Sequence, residues 1–207
     1  MSKPIATATG ADGVAVGAPQ SSSFEHATTA LKNVLHESGA SSSPPSSSQS
    51  KESKAYRALN NLLGECATAS QTELAANTNL SVIEEVFTTK NLPLSKVMQT
   101  LLLQIYEIAL HPDNCPGYIV RNIFNSLLEK TNTKSTNMGV KECVFSILCQ
   151  TIQHRYNDCG SMVGDIVAAA TKITKSSDTY TRTSVLNSLN SLICNVGERF
   201  SDCFPEI

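Results

Sequence analysis

Four histidines, seven cysteines, one pair of adjacent glutamates and the segment Gly160-Ser161-Met162-Val163-Gly164 are the residues from which this chain could assemble chemistry. Metal binding would need His26, His36, His111 or His154 at ligand spacing from a cysteine or carboxylate, and none is so placed. Cys66, Cys115, Cys143, Cys149, Cys159, Cys194 and Cys203 are odd in number, widely spread and never in a Cys-x-x-Cys pair. That pattern fits neither a disulfide framework nor a zinc site. Cys143 and Cys149 lack the His or Asn context of a nucleophile, and burial would raise a thiol's pKa and quieten it. Glu84 and Glu85 would diverge on a helix, so they and the scattered Asp113, Asp158 and Asp165 are expected to be solvated charges rather than an acid/base pair. The glycine segment has no strand before it and no Lys-Ser or Lys-Thr after it, so it reads as punctuation between helices, not a phosphate cradle. The expectation is a non-enzyme that holds neither cofactor nor metal.

Binding remains. Lys130 and Lys134 flank one turn between helical units and Lys172 and Lys175 flank the next, so stacked units would set all four along one edge. Such an edge suits an acidic partner segment, although a lysine near a helix C-terminus also complements the helix dipole. The opposite turns carry Asp113, Asp158 and Asp202. Sixteen Lys plus Arg against eighteen Asp plus Glu leave a formal charge of −2, which gives no surplus to neutralise phosphates and argues against nucleic acid as partner.

The elements that must position these residues repeat. Leu101 is echoed by Val144 and Leu186 at spacings of 43 and 42, and Ile119 by Met162 and Phe204 at the same spacings. A period of this length, held by two independent apolar positions, is the signature of stacked helix pairs of the HEAT or armadillo kind. The fold predicted is therefore all-α, a HEAT/armadillo-like α-solenoid. Leading helices fall near 94–111, 137–155 and 179–196, with partners near 116–130, 159–174 and from 199 onward. Pro93 and His111-Pro112 bracket the first, Asp113 and Asn114 stand ready to cap the next helix, and Asn137 and Asp178 are placed to cap later ones. Gly160 and Gly197 lie where the chain is expected to reverse through a left-handed glycine.

Upstream, residues 54–63 and 74–87 give two less regular amphipathic helices, as expected at the end of a stack. Residues 1–23 and the serine-rich stretch 38–53, with Ser41 to Ser48 interrupted only by Pro44 and Pro45, cannot offset their ordering entropy by burial and are expected to be disordered. Between them Phe24, Leu31, Val34 and Leu35 recur at helical spacing, a short helix over 24–37 that is marginal without a partner. Two regions result: a mostly disordered tail over 1–53 and a helical-repeat domain over 54–207. Because Phe200, Cys203, Phe204 and Ile207 resemble the opening turns of a partner helix that has no closing unit, a longer array or a covering subunit is expected. The strongest apolar run, Leu101 to Leu110, is too short for a bilayer, and no secretory signal opens the chain, so a soluble cytoplasmic protein is expected.

The run Arg182-Thr183-Ser184-Val185-Leu186-Asn187-Ser188-Leu189, followed by Gly197, resembles the R-x-x-I/V-L-x-S-L segment and trailing glycine near the N-terminus of the HEAT-repeat-containing protein 5 family. Gly139 to Tyr156 is similar to that family's small-residue helix, followed by a Gly-x-Met turn at Gly160-Ser161-Met162 and an amphipathic helix ending in lysine. The resemblance covers a little over half the chain, which departs from the family in its Ser-rich N-terminal region and its much shorter length. It implies a cytosolic scaffold that binds a clathrin adaptor complex in traffic between the trans-Golgi network and endosomes, recruited to those membranes through its partners. No catalytic or binding residue is carried over. Two alternatives stand beside it: a regulatory helical-repeat subunit of a catalytic complex, and a tubulin-binding TOG module. The latter presents tryptophan and basic residues on turns that here bear Asp113 and Asp158, in a chain without tryptophan.

Overall fold

The computed structural model describes residues 23–40, 47–69, 77–89, 92–132 and 137–200. These fold as eight α-helices packed on one another, with no strand among the described residues. They are α1 (Ser23–Ala40), α2 (Ser47–Cys66), α3 (Asn77–Thr88), α4 (Lys96–Ala109), α5 (Gly117–Asn132), α6 (Met138–His154), α7 (Val163–Ser176) and α8 (Thr179–Phe200). A single turn, Tyr156–Cys159, and a 3-10 turn, Gly160–Met162, join α6 to α7.

Each helix forms because its aliphatic residues fall on one stripe. In α4, Met98, Leu101, Leu102, Ile105, Tyr106 and Ala109 follow the three-four alternation that marks one helical face, and all are buried. Helix α5 does the same with Ile119, Val120, Ile123, Phe124 and Leu127. Helix α6 buries eleven of its seventeen residues, because α4, α5, α7 and α8 all pack against it. The core is aliphatic with a few rings, among them Phe87 stacked on Tyr106 at 6.3 Å between centroids.

Neighbour relations define two rows. In one, α2 packs on α4, α4 on α6 and α6 on α8; in the other, α1 packs on α3, α3 on α5 and α5 on α7. Polar links between row neighbours keep the interval of the sequence. Ser126 donates to Glu84 and Ser146 shares a hydrogen bond with Ser188, both pairs 42 residues apart. At the start of α4, the Lys96 ammonium sits 2.6 Å from the buried Glu142 carboxylate of α6 and lies over the Tyr180 ring of α8, so one cation ties three members of the first row.

Several expectations change here. Helix α1 is not isolated: Phe24, Leu31 and Leu35 are buried, and the helix lies against α2 and α3. Helix α2 begins at Ser47, inside the stretch expected to be disordered, and Ala55, Ala58, Leu59 and Leu62 form its buried stripe. The helical body thus starts at Ser23 rather than at 54, while residues 1–22 and 41–46 lie outside the described residues. Asn137 and Asp178 cap as expected, accepting from the amides of Gly139 and Thr181. Asn114 instead donates its side-chain amide to the Ile108 carbonyl and closes the helix behind it. Gly160 is right-handed and opens the 3-10 turn; a β-carbon there would stand 3.0 Å from the Tyr156 ring, so close approach of that ring rather than chain reversal favours glycine. No reversal occurs at Gly197 either, since α8 runs through it to Phe200.

Tyr106 is fully buried, and its hydroxyl finds no hydrogen-bond partner among the described residues. Burial pushes that hydroxyl well above the ordinary tyrosine range. Removing an unsatisfied buried hydroxyl relieves a desolvation penalty, so Tyr106→Phe should raise stability by about 1 kcal/mol. Urea unfolding of the full chain checks this, and a loss of stability would show that the hydroxyl is bonded.

Candidate interaction surface

The four lysines singled out by the sequence do not form one free edge. Lys130 points back into the helix rows, 3.1 Å from Glu84, with both side chains mostly buried; it clamps α5 to α3. Lys172 of α7 donates to Asn132 at the end of α5, so it does lie beside the turn that Lys130 precedes. Lys175 is exposed, and Lys134 lies outside the described residues. On the opposite side Asp113 pairs with His111 at 3.4 Å, Asp158 is held by Arg155, and Asp202 falls outside the described residues. The arrangement offers Lys172 and Lys175 to solvent as a small basic spot rather than a four-lysine strip.

The apolar series that defined the period divides at its last member. Leu101 is 7% exposed and Val144 0%, whereas Leu186 is 50% exposed. The reason is position in the row: α4 and α6 each have a row neighbour on both sides, and α8 has α6 alone among the described helices. Val185, Leu192 and Val196 of α8 face the core with the half-buried Leu189 packed beside them, while Leu186 and Ile193 form a second, exposed stripe on its outer side. Ile193 is 49% exposed. From Thr183 to Gly197 the helix carries no charged residue, which is unusual for an exposed helix and typical of the centre of an interface. In the other series Ile119 is buried and Met162 half-buried, and Phe204 lies outside the described residues.

A second feature of the same row is an open groove of about 390 Å³ between α6 and α8. Ser146, Cys149, Gln150, Gln153 and His154 line it from α6, and Asn187, Ser188 and Ser191 from α8. Ser146 and Ser188 meet across it at 3.0 Å, and Gln153 donates to Ser191 at 3.2 Å. No aspartate, glutamate, lysine or arginine contributes to its lining.

Candidates for covalent or metal chemistry stay apart. His36, His111 and His154 do each approach one carboxylate, of Glu85, Asp113 and Glu107, a proximity the sequence reading did not anticipate. No group of three potential ligands converges among the described residues. Glu84 turns towards Ser126 and Lys130 of α5 and Glu85 towards His36 of α1, the divergence expected of neighbours on a helix. Of the described cysteines only Cys194 is exposed. Burial pushes the Cys66 and Cys149 thiols up to about 12 and Cys159 to about 11, and drives Cys143 higher still. A rise of three units leaves roughly a thousandfold less thiolate. Iodoacetamide added to the folded chain should therefore modify Cys194 well before Cys66, Cys143, Cys149 or Cys159, as read by peptide mass mapping. Equal labelling of Cys143 would contradict the burial of α6.

Sequence reasoning missed Arg155. This residue ends α6, is 6% exposed, and gives one guanidinium nitrogen to the carbonyls of Leu110 and Cys115 at 3.0 and 2.8 Å. Its other nitrogens hold the Asp158 carboxylate at 2.7 and 2.6 Å. Arg121 of α5 donates to the Asp158 carbonyl, and a β-carbon at Gly117 would collide with the Asp158 carboxylate, so glycine lets α5 start against it. Arg182 plays a lighter version of the same part, donating to the carbonyls of Thr174 in the last turn of α7 and Ser177 just after it.

No helix among the described residues is long and apolar enough to cross a membrane. Comparison with protein families, curated proteins and solved structures finds no match to this chain.

Proposed function

We propose that the chain is a segment of a HEAT/armadillo-like α-solenoid and serves as a non-enzymatic scaffold for protein partners. The observation that carries this reading is the exposed pair Leu186 and Ile193, the first of them at a period position whose counterparts Leu101 and Val144 are buried. The partner that fits it is an uncharged amphipathic helix. A charged partner would gain nothing from a face without charge, and an aliphatic stripe flanked by Asn and Ser is what one helix of the row presents to another. Helix rows linked at a 42-residue interval support the solenoid reading.

The resemblance of Arg182 to Leu189 and Gly197 to the HEAT-repeat-containing protein 5 family directs the scaffold to clathrin-adaptor-dependent traffic between the trans-Golgi network and endosomes. On this reading the protein is cytoplasmic and reaches Golgi or endosomal membranes through its partners. The test is recovery of purified adaptor complex on the tagged full chain and on Leu186→Arg/Ile193→Arg. Stoichiometric recovery that the variant loses, with unchanged circular dichroism, supports the reading. Failure of the wild-type chain to retain adaptor overturns the trafficking assignment, and retention of a catalytic subunit instead moves the chain to the regulatory class.

A further inference from the structure

We infer that the groove between α6 and α8 binds the main chain of an extended, uncharged peptide segment, with Gln150 and Asn187 as the groups that grip it. The inference rests on the scaffold reading and names a second partner chemistry for it.

The lining selects its ligand by what it offers. A carboxamide presents an acceptor and donors in one plane, the complement of a peptide group's N–H and C=O. Gln150 and Asn187 stand on opposite walls, and neither carboxamide is engaged by another described residue. Gln153 and Ser191 are already bonded to each other, and Ser146 to Ser188, which leaves the amides of Gln150 and Asn187 for a ligand. An anionic ligand would require a cation, and a lipid tail would require apolar side chains along the walls; Cys149 is the only apolar side chain in the lining, and it is buried. A docked helix has its backbone groups satisfied internally and would leave the amides unpaired. An extended strand brings them partners.

Size agrees. From Ser146 to His154 the α6 wall runs eight residues, roughly 12 Å at ~1.5 Å per residue, the length of three or four residues of extended chain. The rim adds one direction: His154 lies 4.0 Å from Glu107, so the groove is neutral along its floor and polar at its α4 end.

The experiment pans a phage-displayed library of random linear peptides against the immobilised full chain, then titrates the enriched peptide by fluorescence anisotropy. Enriched sequences should carry no net charge, bind equally at low and high salt, and weaken about tenfold with Gln150→Ala and again with Asn187→Ala, as expected for one lost hydrogen bond each. Both residues reach the surface, and circular dichroism confirms that the variants fold. Equal binding by both variants would overturn the groove as the site and leave the scaffold reading intact. Acidic peptides released by salt would overturn it in favour of the Lys172 and Lys175 spot. No enrichment overturns the inference alone if the adaptor complex is still retained, and the trafficking assignment with it if it is not.

Discussion

Replacing Arg155 with methionine is expected to lower the stability of the chain by about 3–5 kcal/mol, the range for breaking one side of a buried, hydrogen-bonded ion pair. The cost has two parts. The carbonyls of Leu110 and Cys115 lose their donor inside the fold, and the Asp158 carboxylate, only partly exposed, loses its counter-charge. For a chain of this size the melting temperature should fall by roughly 10 °C. Arg155→Lys should recover little, since one ammonium cannot reach two carbonyls and a carboxylate set around a planar fork. Asp158→Asn should cost less than either, because the two carbonyl bonds survive. Thermal and urea melts of the three variants check the ranking, and a milder effect for Arg155→Met than for Asp158→Asn would overturn it.

The second large effect contrasts two residues that the sequence treats as equivalent. Val144→Asp puts a carboxylate at a site with no exposure and should cost about 4 kcal/mol or more. Against a total stability of about 5–15 kcal/mol, that is enough to unfold much of the population at 37 °C. Leu186→Asp, one period later, should change stability by no more than about 0.5 kcal/mol, because its side chain already meets water. Matching losses at both sites would mean that α8 is covered on its outer side.

The contrast also shows how far the residues could be read without coordinates. Helices α4, α5 and α6 were legible because their aliphatic spacing is regular and because Pro93, Pro112 and Asn137 mark ends through local geometry. Helix α1 was legible as a helix but not as part of the core, since a stripe of Phe24, Leu31 and Leu35 does not say what it faces. Gly197 was misread because glycine is common at helix ends and tolerable inside them, and only the neighbouring turns decide. The Arg155 staple left almost no trace, as its acceptors are main-chain carbonyls 45 and 40 residues away that any residue could supply. The Arg155 to Asp158 spacing was its one local signal. The groove was hidden for a related reason: Gln150 and Asn187 become neighbours only when α6 and α8 lie side by side in the row.

Exposure of the outer stripe of α8 underlies the scaffold proposal, and the absence of tryptophan allows it to be measured cleanly. Leu186→Trp introduces a single reporter into the full chain. The expected result is water-like emission, free quenching by acrylamide, and a blue shift with protection from quencher when the purified adaptor complex is added. Blue-shifted, unquenchable emission from the isolated chain, or an unchanged spectrum on saturation with a bound partner, would contradict it.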